Sequence, residues 1–290
     1  MKYSHEQMTG RFQVNNQIEL FYRSWIPTKT SLVLVFIHGA GQHSGLFMEL
    51  GRYCSQCNIA FYALDLRGFG QSTGKRGHVY SYLEYLNDMD KFIGYIRHVH
   101  PGYPIFLFGH SFGGTLVVRY GQECTNSVDG VILSAPALRI RLKIPKHIYR
   151  ICRYLSIVIP NVSIDLNKWC RFITNHQIGS AYKIVEDDID PFCTHRFSIR
   201  WLSELSINGH HALKRVNNFR VAALCLCGRD DPFIDPNTVQ EFHDAIPVED
   251  KKYILFRGAH CLLRGDGKEI IYKNIVEWLH EHAHGVATAP

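Results

Sequence analysis

Ile105-Phe106-Leu107-Phe108-Gly109-His110-Ser111-Phe112-Gly113-Gly114 is the stretch that decides the fold. Its first four residues are a short apolar run of the kind that forms a buried strand, and Thr115-Leu116-Val117-Val118 with Tyr120 opens an apolar helix face. A serine on such a strand-to-helix turn is held in a strained backbone conformation, with its hydroxyl above the sheet and the helix N-terminus beneath it. Glycine two positions before and two after the serine leaves room for the neighbouring chain. Five residues also fit a glycine-rich turn that happens to contain a serine, so the rest of the chain has to decide.

On both sides of this turn the same grammar repeats. Leu32 to Ile37, Ile59 to Leu64, Val131 to Leu133 and Val221 to Leu226 are continuous apolar runs, the mark of strands covered on both faces. Helix-like stretches, among them Tyr82 to His98 and Phe112 to Cys124, separate them. Strand and helix in alternation predict an α/β fold with a mostly parallel sheet flanked by helices. Residues 11–25 read instead as a hairpin, with alternating Phe12 and Val14, a turn at Asn15-Asn16, and alternating Ile18, Leu20 and Tyr22. The alternation fails from Ala137 to about Val216, which carries no run of the parallel-sheet type and is broken by Pro145, Pro160 and Pro191. The expected organisation is therefore a core of residues 1–136 and 217–290 with a helical insertion over 137–216. After it come a helix from Pro236, a strand at Tyr253 to Phe256 and a last helix from about Lys268 to His284.

A serine hydroxyl needs a base, a group that orients the base, and donors for a developing oxyanion. His260, in Gly258-Ala259-His260, follows the Tyr253 strand, and Asp230 and Asp231 follow the Val221 strand. The order serine, aspartate, histidine is that of one hydrolase architecture among several with such triads. With 17 histidines in the chain a chance match is easy, but few others follow a parallel strand near the C-terminus. Asp235 beside Pro236 reads as a helix cap. His38-Gly39-Ala40-Gly41 follows the first long strand, and the amides of Ala40 and Phe112 are the natural oxyanion donors. The glycine-rich segment lacks both the lysine and the spacing of a phosphate loop.

Composition narrows the partners. The chain has 290 residues, 46% hydrophobic and 20% charged, with a formal charge of +6 and no dense basic block, so nucleic acid is not expected. Met1 to Gln7 lacks a secretory apolar core and no apolar run is long enough to span a bilayer, which leads us to expect a cytosolic protein. The nine scattered cysteines read as reduced thiols, and the Cys54/Cys57 pair has no second pair at zinc-finger spacing, so no metal and no cofactor is expected. Cys261, next to His260, is a candidate for thiol sensitivity.

The chain resembles the α/β-hydrolases of the monoacylglycerol lipase and lysophospholipase type, grouped with the serine aminopeptidase-like (S33) hydrolases. The resemblance rests on His38-Gly39-Ala40-Gly41-Gln42-His43-Ser44-Gly45, on Asp65-Leu66-Arg67-Gly68-Phe69-Gly70-Gln71-Ser72 with Gly74-Lys75-Arg76-Gly77-His78, on the turn at Ser111, and on Gly258-Ala259-His260. It implies a serine hydrolase acting on lipid esters, with Ser111, Asp231 and His260 as triad and Ala40 and Phe112 as oxyanion donors. Asp231 takes precedence over Asp230 on this comparison, because the family acid lies three residues after the glycine ending its strand, here Gly228. Asp65, Arg67 and Ser72 match a structural loop of the family. Phenylalanine at 112 departs from the methionine of many relatives, where only the amide is needed. A short-chain carboxylesterase, an aminopeptidase-like hydrolase and a non-catalytic ligand-binding member of the fold are the other readings. An aspartate-nucleophile dehalogenase or epoxide hydrolase is excluded by the serine.

The insertion resembles the lid of these lipases. Ile144, Ile148, Ile151, Leu155, Val158 and Ile159 lie at roughly helical spacing, interleaved with Arg139, Arg141, Lys143, Lys146, Arg150 and Arg153. The pattern is compatible with a helix on an anionic membrane surface, and the alternative is a cap helix packed on the core with its basic face in water. Either way an apolar tunnel to Ser111 is expected beneath it.

Overall fold

The computed structural model describes residues 7–124, 128–141, 146–166 and 190–286. Its centre is an eight-stranded sheet that opens with an antiparallel hairpin and continues as parallel strands. The hairpin is formed by β1 (Met8–Gln13) and β2 (Glu19–Trp25), antiparallel with Gln13 opposite Glu19. Asn15 closes the loop between them by accepting the amides of Gln17 and Ile18 at 2.9 Å each.

From β4 (Ile59–Leu64) the sheet is parallel, through β3 (Leu32–Ile37), β5 (Ile105–His110), β6 (Gly130–Ser134), β9 (Ala223–Gly228) and β10 (Lys251–Phe256). Every residue of β3, β4, β5, β6 and β9 is buried. Alternate residues serve different sides of the sheet. Val33, Val35, Ile37, Leu107 and Leu133 pack with helices α2 (Leu83–Val99) and α3 (Phe112–Glu123). Leu34, Phe36, Phe108 and Ile132 pack on the other side, with α1 (Met48–Gln56) and Tyr272, Ile275 and Trp278 of α7 (Lys268–Val286). The C-x-x-C pair ends α1, with Cys54 fully buried.

Edge strand β10 begins two residues before the apolar run that signals it. Lys251 and Lys252 are polar because this strand is only partly covered, and charge on an edge discourages pairing with another chain. α6 (Pro236–Ala245) starts where expected, with Asp235 accepting the amide of Asn237 at 3.1 Å.

Between β6 and β9 the described residues form α4 (Lys146–Val158), a two-stranded antiparallel ribbon of β7 (Ser163–Asp165) and β8 (Arg196–Ser198), and α5 (Ile199–Lys214). Nothing in the sequence signals the ribbon, since three-residue strands are too short to show a period. α5 is not peripheral: Trp201, 1% exposed, packs its ring against that of Phe112, centroids 4.8 Å apart and planes tilted by 59°. Of the basic amphipathic pattern, Lys143 and Ile144 lie outside the described residues. Ile151, Tyr154, Ile157 and Val158 of α4 are exposed, as are Arg150 and Arg153.

The chain runs from β3 outward to β4 and then back past β3 to β5. Loops leaving the carboxyl ends of β3 and β5 therefore diverge, and the crevice between them is where open α/β sheets place their ligands.

Candidate active site

Ser111 stands at that crevice, between β5 and α3, with φ 52° and ψ −114°. A positive φ is costly for a residue with a Cβ, and the surroundings hold it there. Its amide donates to Ser134 O at 2.9 Å, and its carbonyl accepts the amides of Thr115 and Ala137. The flanking glycines are sterically required. A Cβ on Gly109 would lie 2.3 Å from Gly113 O, and one on Gly113 would lie 2.2 Å from Ile37 O.

The structure brings the three sequence-predicted residues together. His260 Nε2 lies 2.9 Å from Ser111 Oγ, and His260 Nδ1 lies 2.7 Å from Asp231 Oδ2. Asp231 is 1% exposed, and its other oxygen accepts the amides of Phe233 (2.8 Å) and Ile234 (2.9 Å). Those amides fix the carboxylate plane and leave Oδ2 for the imidazole. A carboxylate only accepts, so Nδ1 carries the proton and Nε2 is left as the acceptor for the serine hydroxyl. Asp230, the alternative acid, is exposed, and its amide donates to Gly258 O at 2.9 Å. Gly228 lets the two loops meet: a Cβ there would be 2.5 Å from the carbonyls of Gly258 and Ala259.

The candidate oxyanion donors sit on the loops from β3 and β5. Phe112 is the first residue of α3, where an amide has no acceptor four residues back. Ala40 lies in the loop after β3, and a Cβ on its neighbour Gly39 would be 3.2 Å from Ser111 Cβ. Because the peptide is planar and trans, the Ala40 N–H points opposite Gly39 O. That carbonyl is held by His38 Nδ1 at 2.7 Å and by the Gln42 amide at 3.3 Å. His38 Nε2 accepts the Leu66 amide at 3.0 Å, which puts its proton on Nδ1 as the contact to Gly39 requires.

Below this loop, Asp65 accepts the amides of Ser44 (2.6 Å) and Gln71 (2.8 Å), and the Ser72 hydroxyl donates to Asp65 O. Arg67 makes a two-pronged contact with Asp88 at 2.5 and 2.6 Å. Asp65, Arg67 and Ser72 thus hold the loops under the site and do not reach Ser111.

Sequence reasoning missed several neighbours. His110 is 1% exposed, with its ring 5.0 Å from that of His260, and Phe233 stands edge-on to His260 at 5.3 Å. Burial, reinforced by the His260 side chain, pushes the His110 pKa well below the ordinary histidine value. Burial likewise lowers His38 to about 4. The signal for His110 is its place inside the turn motif, directly before Ser111.

Both histidines are neutral in the folded protein at a pH where the unfolded chain, with pKa near 6.5, takes up protons. The unfolded state binds more protons, so stability rises with pH in this window and is lost as pH falls below about 6.5. The expected slope is up to about 1.4 kcal/mol per pH unit for each such group. Denaturant melts between pH 7 and 5 check this, and His110→Gln should flatten the slope.

His43, Asp190 and Cys193 place potential ligand atoms within 4.8 Å of one another, the one such group among the described residues. The hydrogen bonds argue for another use. Gly45 donates its amide to His43 Nδ1 at 3.1 Å, so the proton is on Nε2, which donates to Asp190 Oδ2 at 2.9 Å. A metal on Nε2 would require the proton on Nδ1, against the Gly45 amide. None of the eight described cysteines forms a disulfide, Cys261 is exposed, and Cys170 lies outside the described residues.

The hydrolase family described as serine aminopeptidase, S33, matches residues 28–266. The chain belongs to this family. It is 31% identical over 278 residues to the monoglyceride lipase of Mus musculus, covering 93% of this chain and 88% of that protein. It is 26% identical over 254 residues to the phospholipase YtpA of Bacillus subtilis, covering 86% of this chain and 95% of that protein. The crystal structure of a Paleococcus ferrophilus monoacylglycerol lipase superimposes with a TM-score of 0.75 at 27% identity, over 91% of this chain and 99% of the other. The protein thus has the α/β-hydrolase fold of its relatives, a mostly parallel sheet between helices. No helix among the described residues is long and apolar enough to cross a membrane.

Proposed function

We propose that the protein hydrolyses carboxylic esters of lipids, with monoacylglycerol or lysophospholipid as substrate, through an acyl-enzyme on Ser111. The observation that carries this reading is the continuous relay from Asp231 Oδ2 through His260 to Ser111 Oγ, at 2.7 and 2.9 Å. The lipid substrate is supported by relatives that are monoglyceride lipases and a phospholipase.

His260 Nε2 takes the Ser111 proton as Oγ attacks the ester carbonyl. Asp231 keeps the imidazole in the required tautomer and stabilises its positive charge. The amides of Ala40 and Phe112 receive the oxyanion. Collapse of the tetrahedral intermediate expels the alcohol, which takes the proton back from His260. Water, activated by the same imidazole, then releases the fatty acid and restores Ser111. The steps use only side chains and backbone amides, with no cofactor.

Residues 137–216 serve as the cap over this site, and residues 1–136 with 217–290 as the hydrolase core. The acyl tunnel expected beneath the cap rests in part on residues 142–145 and 167–189, outside the described residues. The exposed Ile151, Tyr154, Ile157 and Val158 beside Arg150 and Arg153 support a cap face that touches anionic lipid. The protein is then cytoplasmic and binds membranes peripherally, where it meets its substrate.

One experiment tests both parts. Monoacylglycerols, lysophospholipids, short p-nitrophenyl esters and aminoacyl amides are offered in solution and, for the lipids, in neutral or anionic vesicles. Lipid esters should turn over best, and faster on anionic vesicles. Preference for short esters or for amides would replace lipid hydrolysis with the esterase or aminopeptidase reading, and no turnover of any would favour a ligand-binding role.

A further inference from the structure

The loop that carries Ala40 is held from two sides. On the sheet side His38, Asp65 and Arg23 grip it, the last by donating to Ser44 Oγ at 2.7 Å. On the opposite side the contacts come from the chain just before β8. The Thr194 amide donates to Gly41 O at 2.8 Å, and the His43 imidazole donates to Asp190 at 2.9 Å. The fit is tight: Gly41 has φ +76°, and a Cβ on it would lie 2.4 Å from Thr194 O.

We propose that Asp190, acting through His43, is a positioning residue for the oxyanion donor Ala40, so that turnover depends on residues 190–194 being docked on the loop after β3. The inference rests on the hydrolase reading given above.

The mechanical path is short. Gln42 stands between Gly41, held by Thr194, and His43, held by Asp190. Its side chain accepts the Gly39 amide at 3.0 Å, and its own amide donates to Gly39 O. Gly39 O belongs to the same rigid peptide as the Ala40 N–H, so whatever fixes Gln42 aims the donor. Asp190 is itself aimed, since its other oxygen accepts the Phe192 amide at 2.8 Å. The flanking chain is anchored independently of His43. Arg76 donates to Phe192 O at 2.8 Å, and Ser198 donates its amide to Gly77 O at 2.9 Å.

Removing Asp190 strands the Nε2–H of a side chain only 5% exposed. A buried donor without an acceptor is costly, so the ring must turn and give up its contact with the Gly45 amide. The loop then loses its outer hold at 43 and 45. Complete loss of an oxyanion donor costs on the order of 10²–10³ in rate, and a donor merely misaligned costs less, about tenfold.

The test compares Asp190→Ala with Asp190→Asn, whose one side-chain oxygen can still accept from His43 while its NH₂ gives up the Phe192 amide, a segment that Arg76 continues to hold at Phe192 O. Both are measured with a short p-nitrophenyl ester and with a trifluoromethyl ketone, which forms a tetrahedral oxyanion adduct. Asp190→Ala should lower kcat and ketone affinity in parallel, each about tenfold, with KM within about twofold. Asp190→Asn should restore both to within about threefold of the wild type. If Asp190→Ala does not fold, His43→Phe, which fills similar space and cannot donate, should show the same parallel loss. An active wild type with an Asp190→Ala variant of unchanged kcat overturns this inference alone. So does a loss that lowers the melting temperature and kcat but leaves ketone affinity intact. A wild type that cleaves no ester overturns the hydrolase reading and this inference with it.

Discussion

Ser111→Ala should lower kcat for ester hydrolysis by roughly 10⁶, leaving a residue of activity from the oxyanion donors and substrate binding. The expectation follows from geometry. With Oγ gone, His260 Nε2 faces no hydroxyl, and the water that could replace it is neither oriented nor covalently retained. Loss of the fold is not expected, because the contacts that hold residue 111 are main-chain: its amide to Ser134 O and its carbonyl to Thr115 and Ala137. Alanine does keep the cost of a Cβ at φ 52°. Ser111→Gly should therefore be as inactive as Ser111→Ala yet more stable, by about 1 kcal/mol. Single-turnover kinetics with a p-nitrophenyl ester and denaturant melts of both variants check the pair. Turnover within tenfold of the wild type in either variant would remove Ser111 from the mechanism.

The parts of the molecule legible in the sequence are those where one physical requirement acts on consecutive residues. β3, β4, β5, β6 and β9 are covered on both faces, so all their residues are apolar and each shows as a run. The candidate site residues were legible because parallel strands end at one edge of the sheet, so that Ser111, Asp231 and His260, each just past a strand, converge there. The choice of Asp231 over Asp230 was not in the residues themselves. It came from family resemblance, and the structure gives its physical basis in the amides of Phe233 and Ile234. The ribbon of β7 and β8 was illegible because three residues do not make a period. The His43–Asp190 contact joins residues 147 apart in loops, where neither periodicity nor spacing carries information.

The second large effect is expected for Asp231→Asn, and its size follows from which oxygen is already taken. Oδ1 of Asp231 accepts two backbone amides, from Phe233 and Ile234, while Oδ2 faces His260 Nδ1. Asparagine has one oxygen and one NH₂, and the two amides demand the oxygen. The NH₂ is then forced toward Nδ1, where it can only donate, so the imidazole must present a bare Nδ1 and carry its proton on Nε2. In that tautomer His260 donates toward Ser111 Oγ and cannot accept its proton. Active-site geometry is preserved and general-base catalysis is lost, with kcat lower by about 10⁴ at neutral pH. The exposed Asp230 supplies the control, since Asp230→Asn leaves its backbone contact to Gly258 in place and should retain kcat within about twofold. A large loss in Asp230→Asn together with an active Asp231→Asn would transfer the orienting role to Asp230.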